Sequence, residues 1–151
     1  MIDEIREVAR QYPESRSAIL PALRIAQERY GWLTREAFEQ VAEALDVTPA
    51  YCMSVATFYD MFRLEPAGRH TIEVCTNISC ALVGAQKTLE AFERELGVHP
   101  GETSADGEVT LRTVECYGGC GWGPVVAVDG RYHEPVKPDD VPGIVQGLRD
   151  A

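Results

Sequence analysis

Four of the five cysteines form two pairs with the spacing of metal ligands. Cys75 and Cys80 are separated by four residues, and Cys116 and Cys120 are separated by three. Each pair follows a predicted strand, so the two loops can meet at one end of a sheet. Thiolates are soft ligands that both iron-sulfur clusters and zinc accept. The pattern therefore predicts one metal centre with these four cysteines as its ligands.

The spacing within each pair favours an iron-sulfur centre over zinc. A binuclear 2Fe-2S cluster occupies more space than a single ion, so cysteine pairs on wider loops suit it. Structural zinc sites more often separate their paired cysteines by two residues. Zinc, a redox disulfide and unrelated buried thiols remain open as alternatives at this point. We expect a 2Fe-2S cluster.

Glycine surrounds the last of these cysteines, at Gly118, Gly119, Gly121 and Gly123. A backbone without Cβ atoms can approach cluster sulfurs closely and direct amide hydrogens toward them. An oxidised cluster on four thiolates carries a charge of about −2, and reduction adds another negative charge that such dipoles stabilise. The alternative interpretation is a flexible surface loop, because glycine is also common in turns.

The remaining cysteine and the histidines fit ordinary structural roles. Cys52 lies within a predicted helix, where a small buried hydrophobic residue is expected. His70, His99 and His133 are isolated in the sequence, so we expect them at the surface or in hydrogen bonds rather than as ligands. No residue is predicted to act as a catalytic acid, base or nucleophile.

Residues 1–66 carry four segments with helical spacing and are predicted to form a helical domain. The first segment begins at Ile2, and the second ends before Gly31, which is placed for a left-handed cap. Thr34 is predicted to cap the third helix, and Thr48 with Pro49 to begin the fourth. Three aromatic residues near its end are predicted to be buried rather than to form a docking surface: Phe58, Tyr59 and Phe62.

The pattern changes after residues 66–68, where Pro, Ala and Gly occur in succession. Alternating or apolar runs predict strands at 71–74, 109–113 and 125–128, and helical spacing predicts helices at 82–96 and 141–148. Asp129 and Gly130 predict a hairpin turn. Residues 67–151 are therefore predicted to form an α/β domain with a mixed sheet, and the whole chain an α+β protein.

Composition limits the partners. The chain has 24 acidic and 14 basic residues, and its net charge of −10 would repel nucleic acid. It has no apolar run near the roughly 18 residues of a membrane span and no basic segment before an apolar run at its start. We expect a soluble cytoplasmic protein without direct membrane insertion. No G-x-G-x-x-G fingerprint is present, so the sequence predicts no dinucleotide-binding site in this chain.

The residues around the cysteines resemble the thioredoxin-like ferredoxin subunit of NADH dehydrogenase modules, the 24 kDa subunit of respiratory complex I. The resemblance extends through both halves of the chain. It rests on four segments: RSAILPALRIAQERYGWLT at 16–34, VATFYDMF at 55–62, CTNISCALVGA at 75–85 and VECYGGCGWGPVVAVDGRYH at 114–133. One local difference is the indole of Trp122, because the family has small residues after its last ligand.

The resemblance implies a helical domain followed by a thioredoxin-like domain in which Cys75, Cys80, Cys116 and Cys120 hold one 2Fe-2S cluster. It implies electron transfer beside a flavoprotein subunit that binds FMN and NADH, together with further iron-sulfur subunits. The parent complex would be an NADH-quinone oxidoreductase at the cytoplasmic face of a membrane. Alternatives are the equivalent subunit of an NAD-reducing hydrogenase or NAD-dependent formate dehydrogenase, a free-standing ferredoxin, and a zinc-stabilised interaction module.

Overall fold

The computed structural model describes residues 1–150, which divide into two compact units. The first unit comprises Met1–Pro66, and the second begins at Ala67. Each unit has a hydrophobic core of its own. The break falls where proline, alanine and glycine interrupt the periodic pattern of the sequence.

The first unit is entirely helical. Thr34 and Thr48 begin its third and fourth helices as predicted, because their side chains accept hydrogen bonds from the amides of Ala37 and Tyr51. Gly31 follows the second helix in the left-handed conformation, also as predicted. The helices are α1 Ile2–Ala9, α2 Ile19–Tyr30, α3 Arg35–Leu45 and α4 Pro49–Phe58.

Of the three aromatic residues predicted to be buried in the helical unit, one is buried and two are exposed. Phe62 is only 5% exposed and lies in the core of this unit. Phe58 and Tyr59 are 78% and 36% exposed, so the prediction of burial is wrong for these two residues. The helical periodicity that favours burial does not settle which face of so short a helix meets the core, and Cys52 and Ala56 occupy the buried positions of α4.

The second unit contains a four-stranded mixed sheet with strand order β2-β1-β3-β4. Strands β1 and β2 are parallel, whereas β3 runs antiparallel to β1 and to β4. The mixed sheet confirms the predicted fold class. Its elements are β1 His70–Cys75, α5 Ile78–Leu82, α6 Ala85–Leu96, β2 Val109–Val114, β3 Val126–Val128, β4 Arg131–His133 and α7 Val141–Arg149.

One face of this sheet packs on the two long helices of the unit. Ile72 and Val74 of β1 join Phe92 of α6 and Val145 of α7 in one buried cluster. Because side chains alternate along a strand, Glu73 and Cys75 of β1 point to the opposite face. The alternation in β1 therefore separates the buried apolar side chains of Ile72 and Val74 from the face that carries the first predicted ligand.

The predicted hairpin turn joins β3 to β4, with Asp129 and Gly130 at φ of 50° and 78°. Strand β4 is additional to the predicted strands, although a hairpin requires a second strand. Asp129 also fastens the turn to β1, because its carboxylate accepts the amide hydrogen of Thr71 at 2.8 Å and lies 2.7 Å from Nδ1 of His70.

Within residues 1–150, no helix combines the length and the apolar character needed to cross a membrane. The longest helices, α2 and α6, have 12 residues each. About 20 residues are needed to span the hydrocarbon core of a bilayer.

Phe92→Ala tests the core of the second unit. Phe92 is fully buried, so we expect the substitution to lower the free energy of unfolding of this unit by about 3–5 kcal/mol. Hydrogen exchange at the amides of α6 and β1 measures the change. Glu95→Ala, at an exposed position of the same helix, is the control and should leave the exchange unchanged to within about 0.5 kcal/mol. Equal exchange in the two variants would contradict this account of the core.

Candidate metal centre

The parallel pairing of β1 and β2 brings the two cysteine loops to one edge of the sheet. Cys75 is the last residue of β1 and lies opposite Val114, the last residue of β2. Its amide donates to the carbonyl of Val125 at 3.0 Å, and the amide of Thr76 donates to the carbonyl of Val114 at 3.0 Å. Cys75 is therefore held between the segments that precede Cys116 and follow Cys120 in the chain.

Cys80 lies inside the short helix α5, which corrects its predicted position just before a helix. Asn77 caps α5, since its side chain accepts the amide hydrogen of Ile78 at 2.7 Å. Gly84 has a φ of 105° and separates α5 from α6, which divides the single predicted helix into two. The hydroxyl of Thr76 donates to the carbonyl of Val114 at 3.4 Å.

The four thiols differ in burial. Cys75 and Cys80 are each 2% exposed, whereas Cys116 and Cys120 lie at the surface. Burial raises the pKa of the Cys80 thiol, and the neighbouring Cys75 and Cys120 raise it further, while a hydrogen bond with the backbone of Val125 opposes them. Loss of the thiol protons is favoured by a bound metal, because metal ligation requires thiolates.

The segment 118–123, which we call the glycine loop, approaches the sulfur atoms as predicted. The amide of Gly118 donates to Sγ of Cys116 at 3.2 Å, and Gly118 itself adopts a φ of 76°. A Cβ at Gly123 would lie 3.1 Å from Sγ of Cys80, and one at Gly119 would lie 2.8 Å from a methyl of Val125. Close packing therefore requires glycine at positions 119 and 123, and the backbone conformation favours glycine at position 118.

The donors fit the predicted cluster. All four thiols are free, and they occur as two pairs in the segments where β1 and β2 end, at one edge of the sheet. Within residues 1–150, no three His, Cys, Asp or Glu side chains are arranged to hold a single metal ion. Four thiolates, with an amide directed at one sulfur, are a ligand set that suits a binuclear cluster.

Exposed apolar side chains surround this edge of the sheet. They come from the segments that follow Cys75 and Cys120 in the chain, and all are more than half exposed. Contiguous exposed apolar surface of this kind marks interaction sites. We call this set the apolar rim, and its members are Ile78, Leu82, Val83 and Trp122.

Two residues near the cysteines carry no signal that singles them out in the sequence pattern alone. The hydroxyl of Tyr117 donates to the carboxylate of Glu73 at 2.6 Å. Burial, followed by the bond to Glu73, raises the pKa of the Tyr117 phenol. Tyr117 follows Cys116 in the chain, and Glu73 shares a strand face with Cys75. The partnership itself depends on two segments that are distant in sequence.

The residues predicted to be structural behave as expected. Cys52 is fully buried in the helical unit, and burial raises its pKa to about 11. His70 and His99 form hydrogen bonds with Asp129 and Glu93, and His133 is exposed on β4.

Comparison with known proteins identifies the family. The family model described as thioredoxin-like [2Fe-2S] ferredoxin matches residues 5–149. An NADH-quinone oxidoreductase subunit of Rhizobium meliloti is 41% identical over 151 residues, which cover all of this chain and 90% of the relative. A subunit of the same oxidoreductase from Mycobacterium bovis is 36% identical over 97% of this chain, which spans only 58% of that relative.

A solved NAD+-reducing [NiFe]-hydrogenase shares the fold, with a TM-score of 0.74 at 17% identity over 85% of this chain and 23% of that chain. The family description names the cofactor expected from the cysteines, which confirms the prediction of one 2Fe-2S cluster. The match covers nearly the whole sequence, through both units. The chain therefore belongs to the thioredoxin-like [2Fe-2S] ferredoxin family.

Proposed function

We propose that this chain is the electron-transfer subunit of an NADH-quinone oxidoreductase, with its cluster held by Cys75, Cys80, Cys116 and Cys120. The observation that carries the proposal is the parallel pairing of β1 with β2, which brings both cysteine pairs to one edge of the sheet. When bound, the cluster supplies a centre that accepts and releases one electron at a time. The relatives named as subunits of that oxidoreductase support the choice of complex.

The four cysteines differ in burial, so one side of the proposed centre is enclosed and the other is accessible to solvent. Cys75 and Cys80 lie in a buried apolar cluster with Val114 and Val125, which excludes water from one side. Cys116 and Cys120 are exposed and lie beside and within the glycine loop, so electrons would enter and leave on their side. The amide of Gly118, directed at the sulfur of Cys116, stabilises negative charge there.

The apolar rim is the proposed docking surface for a flavoprotein subunit that binds FMN and NADH. NADH gives up two electrons as a hydride, so a flavin must stand between it and a one-electron centre. Trp122 and Leu82 are 65% and 84% exposed beside the cysteine loops. Burying this rim against the partner would remove apolar surface from water and bring the flavoprotein close to Cys116 and Cys120. Further iron-sulfur subunits would complete the complex at the cytoplasmic face of the membrane.

Metal analysis tests the ligand set. Protein purified without oxygen should contain about two irons and two sulfides per chain, by the composition of one binuclear cluster. Replacing any one of the four proposed ligands by Ala should abolish or destabilise the cluster and its visible absorption. Cys52→Ala is the matched control and should retain full iron, because Cys52 is buried in the other unit. One zinc without sulfide, or loss of iron in the Cys52 variant alone, would overturn the assignment.

A pair of glycine substitutions tests the packing around Cys80. In Gly123→Ala the new methyl would lie 3.1 Å from both Sγ of Cys80 and a methyl of Val83, so one of them must move. We expect a loss of stability of about 1–3 kcal/mol and faster loss of iron to a chelator. Gly121→Ala is the control, because its Cβ would have no neighbour within 4 Å. Equal iron retention in both variants would show that Cys80 does not need this packing.

Anaerobic mixing with NADH tests whether a flavoprotein is needed to transfer electrons from NADH to the cluster. The purified chain should show no bleaching of its visible absorption with NADH alone, because it offers no flavin to split the hydride into single electrons. Addition of the co-purifying flavoprotein should cause bleaching. Leu82→Ser should slow this bleaching, because it removes an apolar side chain from the apolar rim. Phe58→Ser changes an exposed apolar position of the helical unit and shows whether that unit also contacts the flavoprotein. Rapid reduction by NADH without any flavin would refute the proposal.

A further inference from the structure

The side chain of Tyr117 connects the second cysteine loop to the sheet. Its hydroxyl donates to Oε2 of Glu73 at 2.6 Å, and the other carboxylate oxygen of Glu73 lies 3.5 Å from Nη1 of Arg112. The ring of Tyr117 lies against that of Tyr132, with 4.9 Å between centroids. The same ring packs on the buried cluster that includes Cys75.

The cysteine loop itself has hydrogen bonds that stay within the loop. The amide of Gly118 donates to Sγ of Cys116, and the amide of Trp122 donates to the carbonyl of Gly119. These bonds shape the loop but do not attach it to a strand. The Tyr117 side chain reaches β1, and it does so from the position next to Cys116.

We propose that Tyr117 is a positioning residue for Cys116, and that Glu73 of β1 is its anchor. The inference rests on the proposed function, because it takes Cys116 as a cluster ligand. The hydrogen bond joins the residue after Cys116 to the residue two before Cys75, so this contact adds to the pairing of β1 with β2 in setting the relative position of the segments that carry these two proposed ligands.

The surroundings of Glu73 make it a rigid anchor. Glu73 and Arg112 are partners in the parallel ladder of β1 and β2, and their side chains are 19% and 26% exposed. Glu73 lies on the same face of β1 as Cys75, because residues two apart on a strand share a face. A largely buried hydrogen bond to a charged group is among the stronger ones in proteins. The charge of Glu73 therefore lies near the cluster side of the sheet.

Tyr117→Phe in the holoprotein tests the positioning role. The substitution keeps the ring and removes only the hydroxyl, so we expect release of iron to a chelator to accelerate about tenfold, the factor that one such hydrogen bond contributes. We also expect broader lines in the electron paramagnetic resonance spectrum of the reduced protein, because Cys116 would sample more than one orientation. Tyr132→Phe is the matched control, since it removes a neighbouring hydroxyl and keeps the Tyr117–Glu73 bond. Iron release and line widths equal to the wild type in Tyr117→Phe would overturn the proposal.

Substitutions at the anchor separate positioning from charge. Glu73→Ala removes the acceptor and should accelerate iron release, whereas Glu73→Gln restores an acceptor and should rescue retention. The Gln variant also removes a negative charge, so its midpoint potential should move in the positive direction, by a shift that a purely structural role would not produce. Equal iron release in the Ala and Gln variants would overturn the role of the hydrogen bond.

The iron and sulfide content of the wild-type protein distinguishes a failure of the proposed function from a failure of the positioning role. If the wild-type protein holds no iron and sulfide, the proposed function is wrong and the positioning role falls with it. If it holds a cluster that Tyr117→Phe leaves unchanged in retention and spectrum, the positioning role alone is wrong. If Tyr117→Phe does not accumulate as folded protein, the comparison of Glu73→Ala with Glu73→Gln gives the same decision.

Discussion

Parallel pairing of β1 and β2 is the contact on which the proposed metal centre depends. Two parallel strands end at the same edge of a sheet, so the loops that follow them must emerge side by side. Cys75 ends β1 opposite Val114, which ends β2, and the loop with Cys116 and Cys120 follows. Strand β3 adds a second constraint from the other side, because it pairs antiparallel with β1 and begins at this edge. A one-residue slip of β1 against β2 would turn Cys75 to the face that packs on α6 and α7.

Burial and exposure at this edge meet opposing requirements of an electron carrier. Thiolate ligands are best protected from solvent, and Cys75 and Cys80 lie in a small apolar cluster separate from the main core of the unit. Electron exchange requires access, and Cys116 and Cys120 are at the surface. The glycine loop satisfies both needs, because Gly123 packs against the sulfur of Cys80 while the amide of Gly118 is directed at the sulfur of Cys116.

The polar face of the sheet has a role that its composition alone does not reveal. The opposite face is filled by apolar side chains against α6 and α7, which leaves Glu73 and Arg112 on the side of the proposed ligands. Their pairing across the ladder lets a carboxylate remain largely buried, since a neighbouring guanidinium and a phenol hydroxyl satisfy it. The sheet thus provides both the edge from which the loops emerge and the anchor for one of them.

The sequence by itself determined the two cysteine pairs, the alternation of β1, the glycine loop and most helix ends, because spacing and local capping chemistry act between residues close in the chain. Thr34, Thr48 and Gly31 illustrate this locality. Only the tertiary structure decided what depends on distant segments. The helix predicted at 82–96 is divided at Gly84, which places Cys80 within α5, and Phe58 is exposed although its neighbour Phe62 is buried. The bond of Tyr117 to Glu73 joins positions 44 residues apart, and no local pattern specifies it, since such partners are set by strand register and packing.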